Sequence, residues 1–423
     1  MFGKFPPARR APGRAFILSV AMLAATVATG SVAQAQDQPR GQKPAKSGNS
    51  PGFAKLYAPL AAIVNAPNGD FASAKAQLPV LLAAMQNADD RNLAGNLVLV
   101  LGNKSSDRAL QRQGLQMMIE SGKTDPAKLP QLQYLMGGLA FDAKDYATAR
   151  TAFEAARTAG FKDENLSPLL AETYFNSNQK ELGLATLKSE IQARNAAGVA
   201  VPDGWLRRGL QVAYEGKQVA QANEWSTLLV STHPTKANWT TALQVVNAVN
   251  AFDPQVQLDL LRLMATTNSM SERSDYVRYI EAADPRVMSN EVSRVLQAAV
   301  TAGALKTGDA YYGEVKRMVD QRSAGDRTDA PRLVVEATKS ANGNAALNAG
   351  DVLYSLSQYA EAERMYQLAL TKGGIDKDKA LTRLGIAQAQ QGKTAAAKAA
   401  FAQVGGARAP VAQMWQAYLA SKA

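Results

Sequence analysis

Residues 145–160, DYATARTAFEAARTAG, and residues 358–373, QYAEAERMYQLALTKG, carry one arrangement of small and large side chains in distant parts of the chain. Tyr146 matches Tyr359, Ala149 matches Ala362, Phe153 matches Tyr366, and Ala156 matches Ala369. Steps of three and four place these residues on one face of a helix. Tiny side chains on that face let a second helix approach closely, and the ring fills the space beside the contact. Met136, Gly137 and Ala140 precede the first copy across the turn DAKDY, so residues 130–163 read as a helical hairpin with Gly137 and Ala149 in its seam.

The arrangement recurs at steps of about 34 to 38 residues. Ala171, Tyr174, Gly183 and Leu187 repeat it, as do Trp205, Gly209, Val212, Trp225 and Leu228. Gly350, Leu353, Ala362, Tyr366 and Ala369 form a later copy, followed by Gly385, Ala397, Phe401 and Val404. Upstream, Ala62, Phe71, Ala74, Leu78 and Leu81 fit well, and Leu97, Val100 and Ala109 fit less closely. A chain of 423 residues is too long for one ordinary core, whereas a stack of repeats grows without a centre.

This pattern resembles the tetratricopeptide repeat family, whose unit of about 34 residues is a helix-turn-helix. The resemblance implies an all-α fold, an α-solenoid or superhelix of antiparallel helical hairpins. The expected organisation is a signal segment at 1–35, a flexible tether at 36–52 and divergent hairpins at 53–129. Repeats of the family type follow at 130–236, then divergent helical hairpins at 237–342, repeats again at 343–408, and a lone capping helix at 409–423. Some ten or eleven hairpins would fill the array at about 34 residues each, and GDRTDAP, residues 325–331, offers a break into two sub-arrays.

The first 35 residues read as an export signal. Lys4, Arg9, Arg10 and Arg14 precede the apolar run AFILSVAMLAATVA, and AQA at 33–35 supplies small residues for cleavage near Ala35. That run falls short of the ~20 residues a spanning helix needs. The expected location is therefore the bacterial periplasm, with no integral membrane segment after processing. Losing four basic residues lowers the formal net charge from +11 to +7. No run rich in Lys and Arg marks a nucleic-acid patch, so no nucleic-acid partner is expected.

The sequence has no cysteine, which excludes disulfides, thiolate zinc sites and thiol nucleophiles. Its single histidine, His233, sits before Pro234 in a segment that reads as a loop. No cofactor, metal site or catalytic residue is expected.

The functional expectation is a non-catalytic scaffold or adaptor for a protein or peptide partner in the cell envelope. The family resemblance implies a groove along the first helix of each hairpin. Carried to this sequence it picks Gln131, Tyr134, Phe141 and Asp142, then Asn165, Glu172, Phe175 and Asn176, then Leu206, Leu210 and Tyr214. Rings among amides and acids suit an extended peptide or an amphipathic helix. Two rivals are an envelope hydrolase, for which Glu120 in IESGK offers a general acid, and a cytoplasmic scaffold of the same fold.

Overall fold

The computed structural model describes residues 48–422. The expected signal and residues 36–47 of the expected tether lie outside them. The remainder of that tether is not loose. The Asp90 carboxylate accepts from the Ser50 N–H at 2.9 Å, the Ser50 hydroxyl at 2.7 Å, the Gln86 N–H at 3.0 Å and Asn49 Nδ2 at 3.2 Å. These bonds hold Asp90, itself fully buried, against the start of a helix whose first residue is Pro51.

The chain divides into two compact units at Gly198 and Val199. Unit 1 holds α1 (Pro51–Asn65), α2 (Phe71–Ala83), α3 (Ala88–Lys104), α4 (Arg108–Glu120), α5 (Leu129–Asp142), α6 (Tyr146–Thr158), α7 (Leu166–Asn176) and α8 (Lys180–Ala196). Unit 2 begins with α9 (Asp203–Glu215), α10 (Val219–Thr232), α11 (Lys236–Val249), α12 (Pro254–Thr266), α13 (Arg273–Ala283) and α14 (Ser289–Thr301). It continues with α15 (Ala310–Lys339), α16 (Asn344–Ser355), α17 (Tyr359–Lys372), α18 (Lys377–Gln390), α19 (Thr394–Phe401) and α20 (Ala409–Ala420), a 3-10 turn over Gly406–Arg408 preceding the last. No strand occurs among the described residues. The fold is an all-α array of helical hairpins, as the repeat predicts.

The seams explain why. A Cβ placed on Gly137 would lie 2.5 Å from the ring of Phe153, one on Gly209 2.3 Å from Trp225, one on Gly350 2.5 Å from Tyr366, and one on Gly385 2.7 Å from Phe401. Each glycine stands on the first helix of its hairpin, and its ring stands at the same remove downstream on the second. Only glycine lets that ring lie flat on the backbone. Ala149 and Ala362 are buried in the same seams, as expected. In α3–α4 two backbones meet outright: a Cβ on Gly114 would stand 2.5 Å from the Leu99 nitrogen and 2.6 Å from the Gly95 oxygen.

Unit 1 is a ladder of four hairpins whose main contacts join helices adjacent or next-but-one in sequence. A polar rung crosses each step. Lys75 on α2 reaches Asp107, Arg112 on α4 reaches Asp145, and Arg150 on α6 reaches Gln179. Each acceptor immediately precedes the second helix of the next hairpin, and Asp107 and Asp145 also cap those helices through backbone N–H groups.

Unit 2 is built otherwise. The pairs α9–α10, α11–α12 and α13–α14 are followed by α15, a single helix of 30 residues, then by α16–α17, α18–α19 and α20. Residues 325–331 do not break the chain into sub-arrays, because α15 runs through them. Among the described residues unit 1 has four hairpins, and unit 2 has five with two unpaired helices, against the ten or eleven hairpins expected. An unpaired helix shifts the alternation of layers. Before α15 the second helices α10, α12 and α14 face inward; after it the first helices α16 and α18 do, joined by α20. Contacts of α10 with α20, of α12 with α18 and α20, and of α14 with α16 close the unit on itself. The terminal helix therefore does more than cover the last hairpin, since it packs back onto α10 and α12.

Candidate functional site

The expected groove residues fall into two classes. Leu206 and Leu210 are fully buried in α9, and they belong to unit 2, apart from the other two sets. Tyr134 and Phe175 are also core residues. The Tyr134 ring lies 5.0 Å from Phe161 and 5.9 Å from Phe153, and its hydroxyl donates to Asp163 at 2.9 Å. Burial and the Asp163 bond push that phenol well above its ordinary pKa, so it stays a protonated strut. Phe175 covers Gly183, where an added Cβ would sit 2.4 Å from the ring. These four cannot anchor a partner on an open face, because they are the packing between helices.

The remaining seven reach the surface. Gln131 and Asp142 on α5, Asn165 at the start of α7 and Asn176 at its end are exposed. Phe141 is half-buried, edge-on to Tyr146 at 5.7 Å, and Glu172 and Tyr214 are half-buried too. Asn176 donates to the Glu172 carbonyl at 2.7 Å, one turn back. Helices α5 and α7 touch directly, so their surface residues share one side of the ladder. That surface is polar with a single aromatic edge, which fits hydrogen-bonded recognition more than burial of a large apolar face.

The hydrolase reading finds no support in the setting of Glu120. Its carboxylate ends α4 with half its side-chain area exposed, accepts from Gln116 at 2.7 Å and faces Arg91 at 3.9 Å. A carboxyl acting as general acid needs an apolar enclosure to keep its proton. His233 caps α10 and its Nε2 lies 2.7 Å from the Val201 carbonyl, a contact in which the ring must donate. Among the described residues no group of three or more His, Cys, Asp or Glu is placed to hold a metal, and no helix is long and apolar enough to cross a membrane.

The densest polar chemistry lies inside unit 2, at residues the repeat pattern did not single out. Asp259 on α12 faces three guanidinium groups: Arg262 at 3.1 Å, Arg383 of α18 at 3.5 Å, and Arg408 of the 3-10 turn in a short direct bond. Arg262 grips Glu291 of α14 through two bonds of 2.8 Å and lies over the Tyr354 ring, 4.2 Å from its centre. Arg383 also binds Asp351 of α16 directly and Gln255 at 2.6 Å. Tyr279 donates to Glu291 at 2.8 Å and Tyr366 to Asp351 at 2.9 Å. Three arginines thus offset three carboxylates where nearly all solvent is excluded. Deleting one member while the others stay buried leaves an opposite charge uncompensated, at a cost of about 3–5 kcal/mol. A signal was present in the sequence: Arg262 stands between Leu261 and Leu263, and Arg383 has Leu381 two residues before it and Leu384 directly after it, positions at which a helix buries its face.

No protein-family model matches the chain. No curated protein matches it. A solved structure titled "Structure of Naa15/Naa10 bound to HypK-THB" matches at 12% identity with a TM-score of 0.40, covering 85% of this chain and 58% of that one. The chain spans under two thirds of that neighbour's length, and so distant a likeness carries no functional argument.

Proposed function

We propose that this chain is a non-catalytic interaction scaffold of the cell envelope, working through the face of α5 and α7. The observation that carries the reading is the ladder of unit 1. In it α5 meets α7, and exposed positions on α5 and at the two ends of α7 carry Gln131, Asp142, Asn165 and Asn176, with half-buried Phe141 next to Asp142. A surface repeated along a rigid stack suits an extended peptide, which presents donors and acceptors at regular intervals.

The periplasmic location is part of the same proposal and rests on the basic start, apolar run and small residues of 1–35. A C-terminal fusion to alkaline phosphatase reads it: activity places the chain outside the cytoplasm, and an inactive fusion favours the cytoplasmic scaffold.

Partner binding is tested by crosslinking capture with Phe141→Ala and Asn176→Ala combined. The pair should weaken capture by about 1–3 kcal/mol while leaving the helical signal intact. Tyr134→Ala and Phe175→Ala are unsuitable probes because they empty the core. Undiminished capture removes α5 and α7 as the site. Cell-wall hydrolysis by the pure protein that disappears in Glu120→Gln overturns the non-catalytic reading.

A further inference from the structure

The last seventeen described residues make a strap across unit 2. Gly405 precedes the 3-10 turn and Gly406 opens it at φ +55, so the strap is entered through a permissive pair of glycines. Its anchors lie along one face. Arg408 bonds Asp259, the Trp415 indole N–H donates to the Asp259 carbonyl at 3.1 Å, and Thr227 of α10 donates to the Met414 sulfur at 3.5 Å. Tyr418 meets Trp239 of α11 edge-on at 6.2 Å, and Trp415 stacks on Phe401 at 5.9 Å.

The floor under the strap is assembled without it. Helices α10, α11 and α12 pack on one another in sequence, α16 to α19 do the same, and α12 meets α18 directly. Lifting the strap removes one positive charge from the buried set, leaving Arg262 and Arg383 against Asp259, Glu291 and Asp351, with Asp376 also losing Arg408 at 4.0 Å. Val411, Met414 and Trp415 of the strap share one buried apolar cluster with Val230, Trp239 and Leu258, so a vacated groove would present apolar side chains and be acidic at one end. That complement selects an amphipathic helix with an aromatic face and an arginine ahead of it.

We propose that the groove formed by α10, α12 and α18 is a helix-binding site, occupied in cis by residues 406–420 and opened to a partner's amphipathic helix of the same chemistry. This surface is independent of the α5–α7 face and stands or falls separately. A cis occupant lowers the apparent affinity for any outside helix by the fraction of time the groove is closed.

The test uses the full chain and a synthetic peptide of residues 405–422. Hydrogen exchange on the unaltered protein should show residues 409–420 losing protection when the peptide is added in excess, with α12 and α18 remaining protected. The same peptide carrying Arg408→Ala should compete at least about tenfold more weakly. A full chain with Met414→Ala and Trp415→Ala, altered in the strap and not in the groove, should bind the labelled peptide at least about tenfold tighter than the unaltered chain. Three results overturn the proposal: residues 409–420 exchanging as slowly as α12 whatever the peptide concentration, a folded double variant with no gain in binding, or dimers formed by exchange of the strap, which assign the groove to a second copy. Should the double variant not fold, the exchange measurement on the unaltered chain decides alone.

Discussion

In unit 1 the ion pairs that join consecutive hairpins lie at half-exposed positions, Lys75 with Asp107 at 2.9 Å and Arg112 with Asp145 at 2.6 Å. In unit 2 Arg262, Arg383 and Arg408 meet their carboxylates in the interior, across helices far apart in sequence. Both units use the same glycine-and-ring seam, so the seam does not set the difference. The difference is α15. A single helix inserted into a series of pairs exchanges inner for outer, and the exchange brings α12, α14, α16 and α18 to face one another. A ladder tolerates a local fault because each step holds only its neighbours. A closed unit shares one interior, so a fault there reaches every helix that faces it.

The largest effect should come from Asp259, which faces three arginines. Asp259→Asn leaves the arginines in excess inside the unit and should destabilise unit 2 by about 3–5 kcal/mol, the usual outcome of removing one partner from a buried charged set. All four tryptophans, Trp205, Trp225, Trp239 and Trp415, belong to unit 2. Urea unfolding followed by tryptophan fluorescence should thus shift strongly, while the share of the far-ultraviolet helical signal that comes from unit 1 unfolds at its former midpoint. A shift of both signals together would end the separation of the two units.

Next come the seams. Gly350→Leu must displace Tyr366, which donates to Asp351, which in turn binds Arg383. Gly137→Leu displaces Phe153, whose neighbours are other apolar side chains of its own and the next hairpin. Overpacking of this kind costs about 1–3 kcal/mol at each site. Segment-resolved hydrogen exchange should show α5 to α7 loosened by Gly137→Leu with α1 and α2 unchanged, and the loosening from Gly350→Leu should extend to α12. Equal, local effects at both sites would mean that the buried charges do not couple the helices of unit 2.

The seams were legible because a helix of fixed pitch converts a contact into a spacing, and Gly137, Gly209, Gly350 and Gly385 each show it. The site was far less legible. Family resemblance assigns Tyr134, Phe175, Leu206 and Leu210 to an open face, yet in this chain those positions carry large side chains that the neighbouring helices enclose. Closure left even less trace. Asp259 and Arg408 are brought together only by the summed geometry of the helices between them, and no local period records which layer a helix will join after α15. What the sequence did hold was Arg262 and Arg383 set between leucines, and a buried arginine requires an acid whose position must come from the fold.

Acid should separate the units further. Burial alone would raise the Glu291 carboxyl, but Arg262 beside it, with the Tyr279 hydroxyl and Arg294, outweighs that and holds it below the usual glutamate range, while the Tyr354 ring faces the same arginine. A depressed folded value means that Glu291 contributes its stability fully above the unfolded value of about 4.3 and loses it as pH falls through the folded one. Tryptophan fluorescence should therefore report little change from this pair between neutral pH and about 4.3, then a loss of unit 2 stability below it. Glu291→Gln should be less stable at neutral pH and should flatten that acid limb. An unaltered limb would place the acid sensitivity elsewhere.

The smallest effect belongs to the rungs of unit 1. The Arg112 bond is foremost among those holding the Asp145 carboxyl below its ordinary range, yet 31% and 37% of the two side chains face solvent, so water and salt screen the pair. Arg112→Ala should cost less than about 1 kcal/mol in low salt. At about 1 M salt, where the screening length is about 3 Å, the difference from the unaltered chain should vanish. The same salt should leave the cost of Asp259→Asn standing, because ions cannot enter the interior of unit 2. Helical ellipticity followed through urea unfolding at both salt concentrations reads the two variants side by side, and a rung whose cost survives high salt would have to act through packing of the Arg112 stem instead of through its charge.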